Sequence, residues 1–438
     1  MLISVIGCGY LGAVHAACMA EIGHNVIGID VDNDKISQLK KQQTPFYEPG
    51  LADMIAKATA ANKLNFSTNF SDVADATVHF IGVGTPQSKN SEAADTTFVL
   101  AAINSLLPYL KPGDVVVGKS TVPVGTAAKI AKILADNAPE TVLVWNPEFL
   151  REGFAVKDTL SPDRIVYGLS DEKTKAKQGE EVLDQVYEHY FKQGIQKITT
   201  NYSTAELVKV SANSFLATKI SFINAIAEVC EVTGGNVREL AYAIGLDERI
   251  GSRFLNAGIG FGGGCLPKDI RALKARVEEL DIAGPANFLR EVDSINKHAR
   301  ERIVEKFNEI LGGLKDKKIA VLGLAFKADS DDLRDSPALS IAQKSHEFGA
   351  EVVAYDPEAI NNPLLDGYDF EVVSSTKEAV KNADLIFVGT EWREFKELDT
   401  SSLAKLVNVP RVFDGKNCLE SESWVMNGFE YYAPGISN

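Results

Sequence analysis

The sequence predicts an α/β protein with two Rossmann-like, doubly wound domains that are joined by a long central helix and a helical dimerisation region. Strand-like apolar runs alternate with helical stretches in the first part, a long helical pattern follows, and the alternation then returns. We expect an NAD-binding part at residues 1–200, a central part at 201–312 and a second nucleotide-binding part at 313–438. Such alternation is typical of parallel sheets covered by helices on both faces.

The composition is typical of a globular protein, with 45% hydrophobic and 24% charged residues. A formal net charge of −15 argues against a partner such as nucleic acid or an anionic membrane, which needs a basic face. No apolar run approaches the ~20 residues of a membrane helix, and no secretory signal is visible. Five scattered cysteines without a CxxC pair indicate reduced thiols, so we expect a cytoplasmic protein. The histidines form neither HxxxH nor HExxH, and no metal is expected.

The N-terminus carries a dinucleotide-binding pattern. A strand-like run at Leu2–Ile6 precedes GCGYLG at residues 7–12, a helical stretch, and a second apolar run that ends in Asp30. The glycines let the backbone approach a pyrophosphate, and the helix N-terminus supplies partial positive charge. An acid at Asp30 would bind ribose hydroxyls, which favours NAD over NADP. A structural tight turn is the alternative.

Three more strand-like runs of the first part lead into polar loops, where ligands of parallel sheets bind. The third loop reads NPEFLREG at residues 146–153. As one helical turn, it would place Glu148 and Glu152 on one face, as candidates for activating water. Two solvated acids are the alternative interpretation.

The central part begins with SxxE at residues 203–206, which predicts a capping box. Neither proline nor glycine follows until Thr233, so we expect a helix of about 30 residues, ~45 Å long. Lys209 and Asn213 lie one turn apart on it, where they could polarise an oxyanion. A lysine that extends its charge to solvent is the alternative for Lys209. Shorter helices are expected at 237–244, 268–280 and 286–311.

The last part repeats the first. Three of its segments resemble earlier ones. The first strand is matched by residues 318–323, the second by residues 349–356, and the later strand that ends near Thr85 by residues 383–390. Gly323 is followed by LAFK instead of paired glycines, so Lys327 would supply the charge for a different anionic ligand. A vestigial structural domain is the alternative.

Five glycines within residues 258–264 precede Cys265, and Pro267 then opens a helix. A helix N-terminus and the nearby Lys268 both favour a thiolate, which makes Cys265 a candidate nucleophile. A small buried apolar residue is the alternative, as we expect for Cys8, Cys18 and Cys230. Beside an NAD site, a nucleophilic cysteine permits alcohol oxidation through a thiohemiacetal and a thioester to the acid.

The chain carries a series of motifs in a fixed order: GCGYLG at 7–12, FYEPGL at 46–51, STVPVG at 120–125, NPEFLREG at 146–153, AELVKVSAN at 205–213, FGGGCLPKD at 261–269, FKADSDDLRDSP at 326–337, GTEW at 389–392 and DGKN at 414–417. Through these motifs, the whole chain resembles the nucleotide-sugar 6-dehydrogenases of the UDP-glucose/GDP-mannose dehydrogenase family. The resemblance implies NAD-dependent, four-electron oxidation of UDP-glucose to UDP-glucuronate, with two NAD reduced per sugar, by a homodimer.

The resemblance also implies roles for single residues. Cys265 is expected to be the nucleophile, Lys209 and Asn213 the oxyanion stabilisers, Asp269 a partner of Lys209 and of the hydrolytic water, Glu148 the general base and Thr121 the holder of a water. The expected cofactor-binding residues are Gly7, Gly9, Tyr10, Leu11, Gly12, Asp30, Lys35, Thr85, Pro86, Ser120, Thr121, Glu152, Lys268 and Arg334. The expected substrate-binding residues are Phe149, Leu150, Arg151, Glu152, Lys209, Asn213, Arg249, Phe254, Gly262, Phe326, Lys327 and Lys416, with Arg249 offered to the neighbouring subunit.

Several alternatives stay open. Lys416 stands where many members of the family have arginine, and it lacks the bidentate geometry of a guanidinium. The same chemistry on GDP-mannose or a UDP-N-acetylhexosamine is one alternative, and a non-catalytic nucleotide-sugar or NAD-binding protein is another. An epimerase or simple alcohol dehydrogenase would remove one hydride only. No tyrosine has a lysine four residues on, which argues against the short-chain type.

Overall fold

The structure, a computed structural model, describes residues 1–437 and forms two compact units, Met1–Ala212 and the part from Asn213 onward. The three-part division expected from the sequence stays a prediction. Of the helices among the described residues, none has the length and apolarity that crossing a bilayer requires.

The first unit contains a sheet with the strand order β3-β2-β1-β4-β5-β6-β7-β8. Neighbouring strands are parallel except β6 and β7, which meet antiparallel. The strands are β1 (Leu2–Ile6), β2 (Asn25–Ile29), β3 (Leu64–Ser67), β4 (Val78–Ile81), β5 (Val115–Gly118), β6 (Val142–Trp145), β7 (Arg164–Leu169) and β8 (Gln196–Asn201). The helices are α1 (Tyr10–Glu21), α2 (Asn33–Lys40), α3 (Leu51–Ala60), α4 (Thr97–Leu106), α5 (Thr126–Asn137), α6 (Ala155–Leu160), α7 (Lys173–Val186) and α8 (Glu188–Lys192).

Both faces of this sheet are buried. Val5 and Phe80 belong to one apolar core, whereas the next residues along the same strands, Ile6 and Ile81, belong to another. Successive side chains of a strand point to opposite faces, so helices must cover both sides. The doubly wound arrangement predicted from the sequence is confirmed for this unit.

The long central helix, α9, runs from Tyr202 to Thr233, beginning in the first unit and ending in the second. Its 32 residues span about 48 Å. The predicted capping box is wrong. Asn201 Oδ1 accepts the hydrogen bond from the Thr204 N–H, and the Glu206 carboxylate accepts from Gly125 N–H and Ala127 N–H at the start of α5. Glu206 is therefore engaged by the start of a different helix.

The second unit contains a fully parallel sheet with the order β11-β10-β9-β12-β13-β14, the same winding as the β3-to-β6 part of the first sheet. The predicted internal repeat is confirmed. The strands are β9 (Lys318–Leu322), β10 (Glu351–Tyr355), β11 (Glu371–Val372), β12 (Leu385–Val388), β13 (Arg411–Asp414) and β14 (Glu430–Tyr432). The helices are α10 (Val237–Gly245), α11 (Leu266–Glu279), α12 (Ala283–Leu311), α13 (Pro337–Glu347), α14 (Thr376–Val380), α15 (Arg393–Lys396), α16 (Thr400–Leu403) and α17 (Ser421–Met426).

Candidate active site

The glycine-rich turn between β1 and α1 has the geometry of a pyrophosphate cradle. Gly7 has φ +91°, and a Cβ on Gly12 would lie 1.7 Å from the Gly7 carbonyl oxygen, so both positions require glycine. A Cβ on Gly9 would meet nothing within 4 Å. The space beside Gly9 therefore lies open next to the N-terminal turn of α1, which begins with Tyr10 and Leu11. These features fit a dinucleotide phosphate.

Asp30 follows β2 and is mostly buried. Its carboxylate accepts hydrogen bonds from Cys8 N–H at 2.8 Å and Asp32 N–H at 3.0 Å, and Lys35 Nζ lies 3.0 Å away. Asp30 is thus fixed beside the glycine turn, as a ribose-binding acid requires. The structure places Asp30 and Lys35 together beside this turn, and their cofactor-binding roles stay predictions.

The loops after β4 and β5 are joined at the carboxyl end of the sheet. The Thr85 hydroxyl donates to the Thr121 carbonyl oxygen at 2.6 Å, and the Ser120 hydroxyl donates to the Val83 carbonyl oxygen at 2.7 Å. Together with Pro86, these residues lie where ligands of parallel sheets bind. The structure brings this part of the expected cofactor set together.

The segment after β6, residues 146–156, is called the acid loop here because it carries Glu148 and Glu152. The predicted helical turn is wrong: the backbone from Asn146 to Arg151 is irregular, and α6 begins only at Ala155. One reason is that Glu148 Oε2 accepts the Leu150 N–H at 2.6 Å within the loop. The two acids are therefore placed by contacts of the loop and not by helical periodicity.

Asn146 anchors the start of the acid loop. Its side-chain oxygen accepts from Lys119 Nζ at 3.1 Å and from the Tyr187 hydroxyl at 2.6 Å, while its amide nitrogen donates to the Val166 carbonyl oxygen. Burial lowers the pKa of Lys119 to about 8, an effect that Glu148 opposes and Lys209 adds to. Neither Lys119 nor Asn146 was assigned a role from the sequence, since their partners are distant along the chain.

Glu148 and Lys209 form an ion pair, with Glu148 Oε1 and Lys209 Nζ 3.0 Å apart. The Lys209 ammonium also lies 5.8 Å from the ring centroid of Phe149, and the Arg164 guanidinium lies 3.8 Å from the same ring. Arg151 is bound to Asp158 by two side-chain hydrogen bonds of 2.8 and 2.7 Å. A carboxylate and an ammonium group are thus held in contact in the first unit, and the general-base role expected for Glu148 stays a prediction.

In the second unit, Cys265 is the N-cap residue of α11, with Pro267 in the first turn, as predicted. Its side chain is exposed, whereas Cys8, Cys18 and Cys230 are buried. The predicted distinction between one accessible thiol and buried thiols is confirmed for these residues. An accessible thiol at a helix N-terminus is suited to nucleophilic attack.

The glycines before Cys265 allow neighbouring loops to pack closely. A Cβ on Gly262 would lie 2.3 Å from the Asp335 carbonyl oxygen, one on Gly263 2.8 Å from the Phe326 ring, and one on Gly264 2.4 Å from the Arg334 guanidinium. The structure therefore brings Phe326 and Arg334 to the cysteine loop. This proximity follows from the absence of side chains in the triple glycine.

Asp269 is buried in the first turn of α11. Its carboxylate accepts from Asn213 Nδ2 at 2.6 Å and from Lys268 Nζ at 2.5 Å. Asn213 lies four residues after Lys209 on α9. The expected pairing of Asp269 with Lys209 itself stays a prediction.

The remaining expected substrate residues lie in loops of the second unit. Lys416 follows β13, and its Nζ donates to the Phe326 carbonyl oxygen at 3.2 Å and lies 3.4 Å from Glu391. Lys327 Nζ lies 5.8 Å from the Phe326 ring centroid. Arg249 is exposed and bound to Asp247, and Phe254 has φ +64°. Phe326, Lys327 and Lys416 thus form one group, and their roles stay predictions.

Glu48 is a buried acid that contacts the acid loop and was given no role from the sequence. Its motif, FYEPGL, was the available signal, but the sequence does not reveal what its carboxylate binds.

Three family models match the chain: the UDP-glucose/GDP-mannose dehydrogenase NAD binding domain at residues 1–191, the central domain at 203–298 and the UDP binding domain at 320–421. A UDP-glucose 6-dehydrogenase of Rhizobium meliloti is 40% identical over 99% of both chains. A solved UDP-glucose dehydrogenase of Pyrobaculum islandicum has a TM-score of 0.90 at 32% identity, covering 100% of this chain and 98% of its own. A UDP-D-ManNAc dehydrogenase of Pyrococcus horikoshii has a TM-score of 0.87 at 27% identity, covering 99% of each chain.

Proposed function

The chain belongs to the UDP-glucose/GDP-mannose dehydrogenase family, and on this basis we propose that it oxidises UDP-glucose to UDP-glucuronate with NAD. The carrying observation is the exposed Cys265 thiol at the start of α11, because a covalent thiol intermediate distinguishes a four-electron dehydrogenase from a two-electron one. NAD, when bound, accepts one hydride in each of the two oxidations. The glycine turn, Asp30 and the loops after β4 and β5 would hold it.

The proposed roles follow the chemistry of the residues. The Cys265 sulfur adds to the aldehyde carbon formed in the first oxidation, and the thiohemiacetal becomes a thioester in the second. Glu148 takes a proton from a water molecule while the oxygen of that water adds to the thioester carbon. The C–S bond then breaks, and Cys265 leaves as a thiolate. Lys209 and Asn213 are suited to stabilise the oxyanions because both are hydrogen-bond donors. Thr121 and Asp269 are proposed to hold waters.

UDP-glucose is the proposed substrate because the full-length relative at 40% identity is named for it. The structural neighbour named for UDP-D-ManNAc, at 27% identity, makes a UDP-N-acetylhexosamine the main alternative. The proposed place of action is the cytoplasm, where a catalytic thiol stays reduced.

A homodimer is proposed from an apolar stripe on the part of α9 that lies in the second unit. Phe215, Phe222 and Val229 recur every seven residues and are 66%, 49% and 54% exposed, and Val232 is 88% exposed. Exposed apolar residues at this spacing are typical of a helix that packs on another helix. The exposed Arg249 is proposed to reach the site of the second copy.

The deciding experiment measures NADH formed per UDP-glucose consumed. A ratio of two supports the proposal, and a ratio of one contradicts the four-electron scheme. GDP-mannose and UDP-N-acetylhexosamines, assayed in parallel, test the substrate. Cys265→Ala should abolish acid formation, with Cys418→Ala, at a half-buried position, as the matched control. Substantial acid formation by Cys265→Ala would contradict the thioester route.

A further inference from the structure

We propose that Glu48 is a positioning residue that fixes the acid loop against the cofactor turn, so that one buried carboxylate sets both NAD affinity and the rate of thioester hydrolysis. The proposal rests on the function proposed above. Glu48 does not touch the reacting atoms in this scheme, and it acts through Tyr10 and the acid loop.

The carboxylate of Glu48 connects two separate segments of the first unit. Glu48 Oε2 accepts hydrogen bonds from the Gly153 N–H at 2.7 Å and from the Tyr10 hydroxyl, and Oε1 accepts from the Val156 N–H at 3.1 Å. Tyr10 is the first residue of α1 and belongs to the glycine turn, whereas Gly153 and Val156 belong to the acid loop. A single side chain therefore holds both segments.

Tyr10 completes the connection. Its hydroxyl oxygen accepts a further hydrogen bond from the Gly153 N–H at 2.8 Å, and its ring centroid lies 4.6 Å from that of Phe46. Burial raises the pKa of Tyr10, and the hydrogen bond to Glu48 raises it further, so the hydroxyl keeps the proton that it donates to Glu48. Phe46 and Glu48 both belong to the FYEPGL segment, which thus contacts Tyr10 with a ring and a carboxylate.

A carboxylate suits this position because three donors converge on it. Glu48 is only 5% exposed, so an unpaired N–H or hydroxyl here would be costly. A glutamine offers one acceptor oxygen, and its NH₂ group would face one of the donors. Alanine would leave all three donors without this partner.

The position of Gly153 matters because it adjoins Glu152, which is 9% exposed. Gly153 has φ +77°, a left-handed conformation that few other residues adopt. This conformation determines the direction in which the chain continues into α6. At the other end of the loop, Asn146 is fixed by Lys119 and Tyr187. Glu148 and Glu152 lie between these two anchors, and release of the Glu48 anchor would displace them.

The test compares Glu48→Ala, Glu48→Gln and Tyr10→Phe with Asp114→Asn. Asp114 is a matched control because it is a buried acid of the same unit that accepts a backbone N–H, from Lys111 at 2.7 Å, at the start of β5 and away from the carboxyl ends of the strands. For Glu48→Ala we expect kcat to fall about 100-fold, the effect of a displacement of ~1 Å in a catalytic group. Glu48→Gln should retain an intermediate rate. At saturating NAD, the KM for UDP-glucose should fall together with kcat in both variants, because slow hydrolysis leaves the protein occupied by the covalent adduct.

Two measurements separate positioning from a loss of stability. Acid quench followed by intact-mass analysis should show a covalent sugar adduct accumulating on Glu48→Ala but not on Asp114→Asn. NAD titration by quenching of protein fluorescence should show weaker binding for Glu48→Ala and Tyr10→Phe. Absence of the adduct, together with a kcat loss no larger than that of Asp114→Asn, would overturn the proposal. If Glu48→Ala does not fold, Glu48→Gln decides by the same criteria.

The wild-type protein serves as the reference for the proposed function. If the wild-type protein forms no NADH from UDP-glucose, the proposed oxidation of UDP-glucose is wrong. The NAD titration alone then tests whether Glu48 positions the cofactor turn. Unchanged NAD affinity in both Glu48→Ala and Tyr10→Phe would overturn the role in that case.

Discussion

Lys209 Nζ and Glu148 Oε1 lie 3.0 Å apart, and the two side chains are only 6% and 13% exposed. Such a pair is shielded from water, so each charge depends on the other for stabilisation. Glu148 comes from the acid loop and Lys209 from α9, 61 positions later in the chain. The proposed base and the proposed oxyanion donor are therefore in direct contact with each other.

Replacement of Glu148 by glutamine should stop the reaction after the second hydride transfer. We expect acid release to slow by about 10²–10⁴-fold, the usual contribution of a general base. Rapid-quench measurements should show a burst of two NADH per subunit and a sugar adduct on Cys265. Glu188→Gln, at an exposed ion pair with Lys192, should behave as the wild type. Slow turnover without a burst would contradict the role of Glu148.

Asp30→Asn should weaken discrimination between NAD and NADP. Loss of a charged hydrogen-bond acceptor costs about 1.5–3 kcal/mol, so the KM for NAD should rise roughly 10- to 100-fold while that for NADP changes less. Steady-state kinetics with both cofactors measure this ratio. Asp34→Asn, on the exposed first turn of α2, is the control. An unchanged NAD/NADP preference would exclude Asp30 as the ribose ligand.

Lys119→Met should change how stability depends on pH. Burial lowers the pKa of Lys119 from 10.5 to about 8, so between these values the unfolded chain binds a proton that the folded chain has released. The free energy of unfolding contributed by Lys119 therefore rises with pH in this window. Methionine has no charge to bury, so we expect Lys119→Met to gain free energy of unfolding relative to the wild type at pH 7.5. Urea unfolding from pH 7.5 to 10 should show this difference becoming smaller as the pH increases. The exposed Lys132→Met is the control, and a difference independent of pH would contradict the shift.

Phe222→Asp should disrupt the proposed dimer because a carboxylate would be buried in an apolar contact. Light scattering should report half the wild-type mass, with the fold retained by circular dichroism. Phe348→Asp, which alters a 60% exposed phenylalanine after α13, should leave the mass unchanged. A wild-type mass for Phe222→Asp would exclude the α9 stripe as the interface.

The parts of the site that were predicted from the sequence depend on local patterns. The glycine turn, Asp30 and the helix N-terminus at Cys265 each lie within a few residues of the features that identify them. The conformation of the acid loop was predicted wrongly because side-chain contacts determine it. One contact is local, between Glu148 and the Leu150 N–H, but others are distant: Glu48 binds Gly153 across 105 positions, and Tyr187 binds Asn146 across 41. A local sequence pattern carries no information about contacts with residues that are distant along the chain. Glu206 is a similar case, since its pairing with residues 125 and 127 overrode the capping pattern.

The three glycines of the cofactor turn differ in what they tolerate. A methyl group at Gly7 or Gly12 would collide with protein atoms, whereas at Gly9 it would occupy open space. Gly9→Ala should therefore leave cellular abundance intact while removing activity, and the corresponding changes at Gly7 and Gly12 should reduce both. Of these three changes, only Gly9→Ala would therefore separate the loss of cofactor binding from the loss of the folded protein.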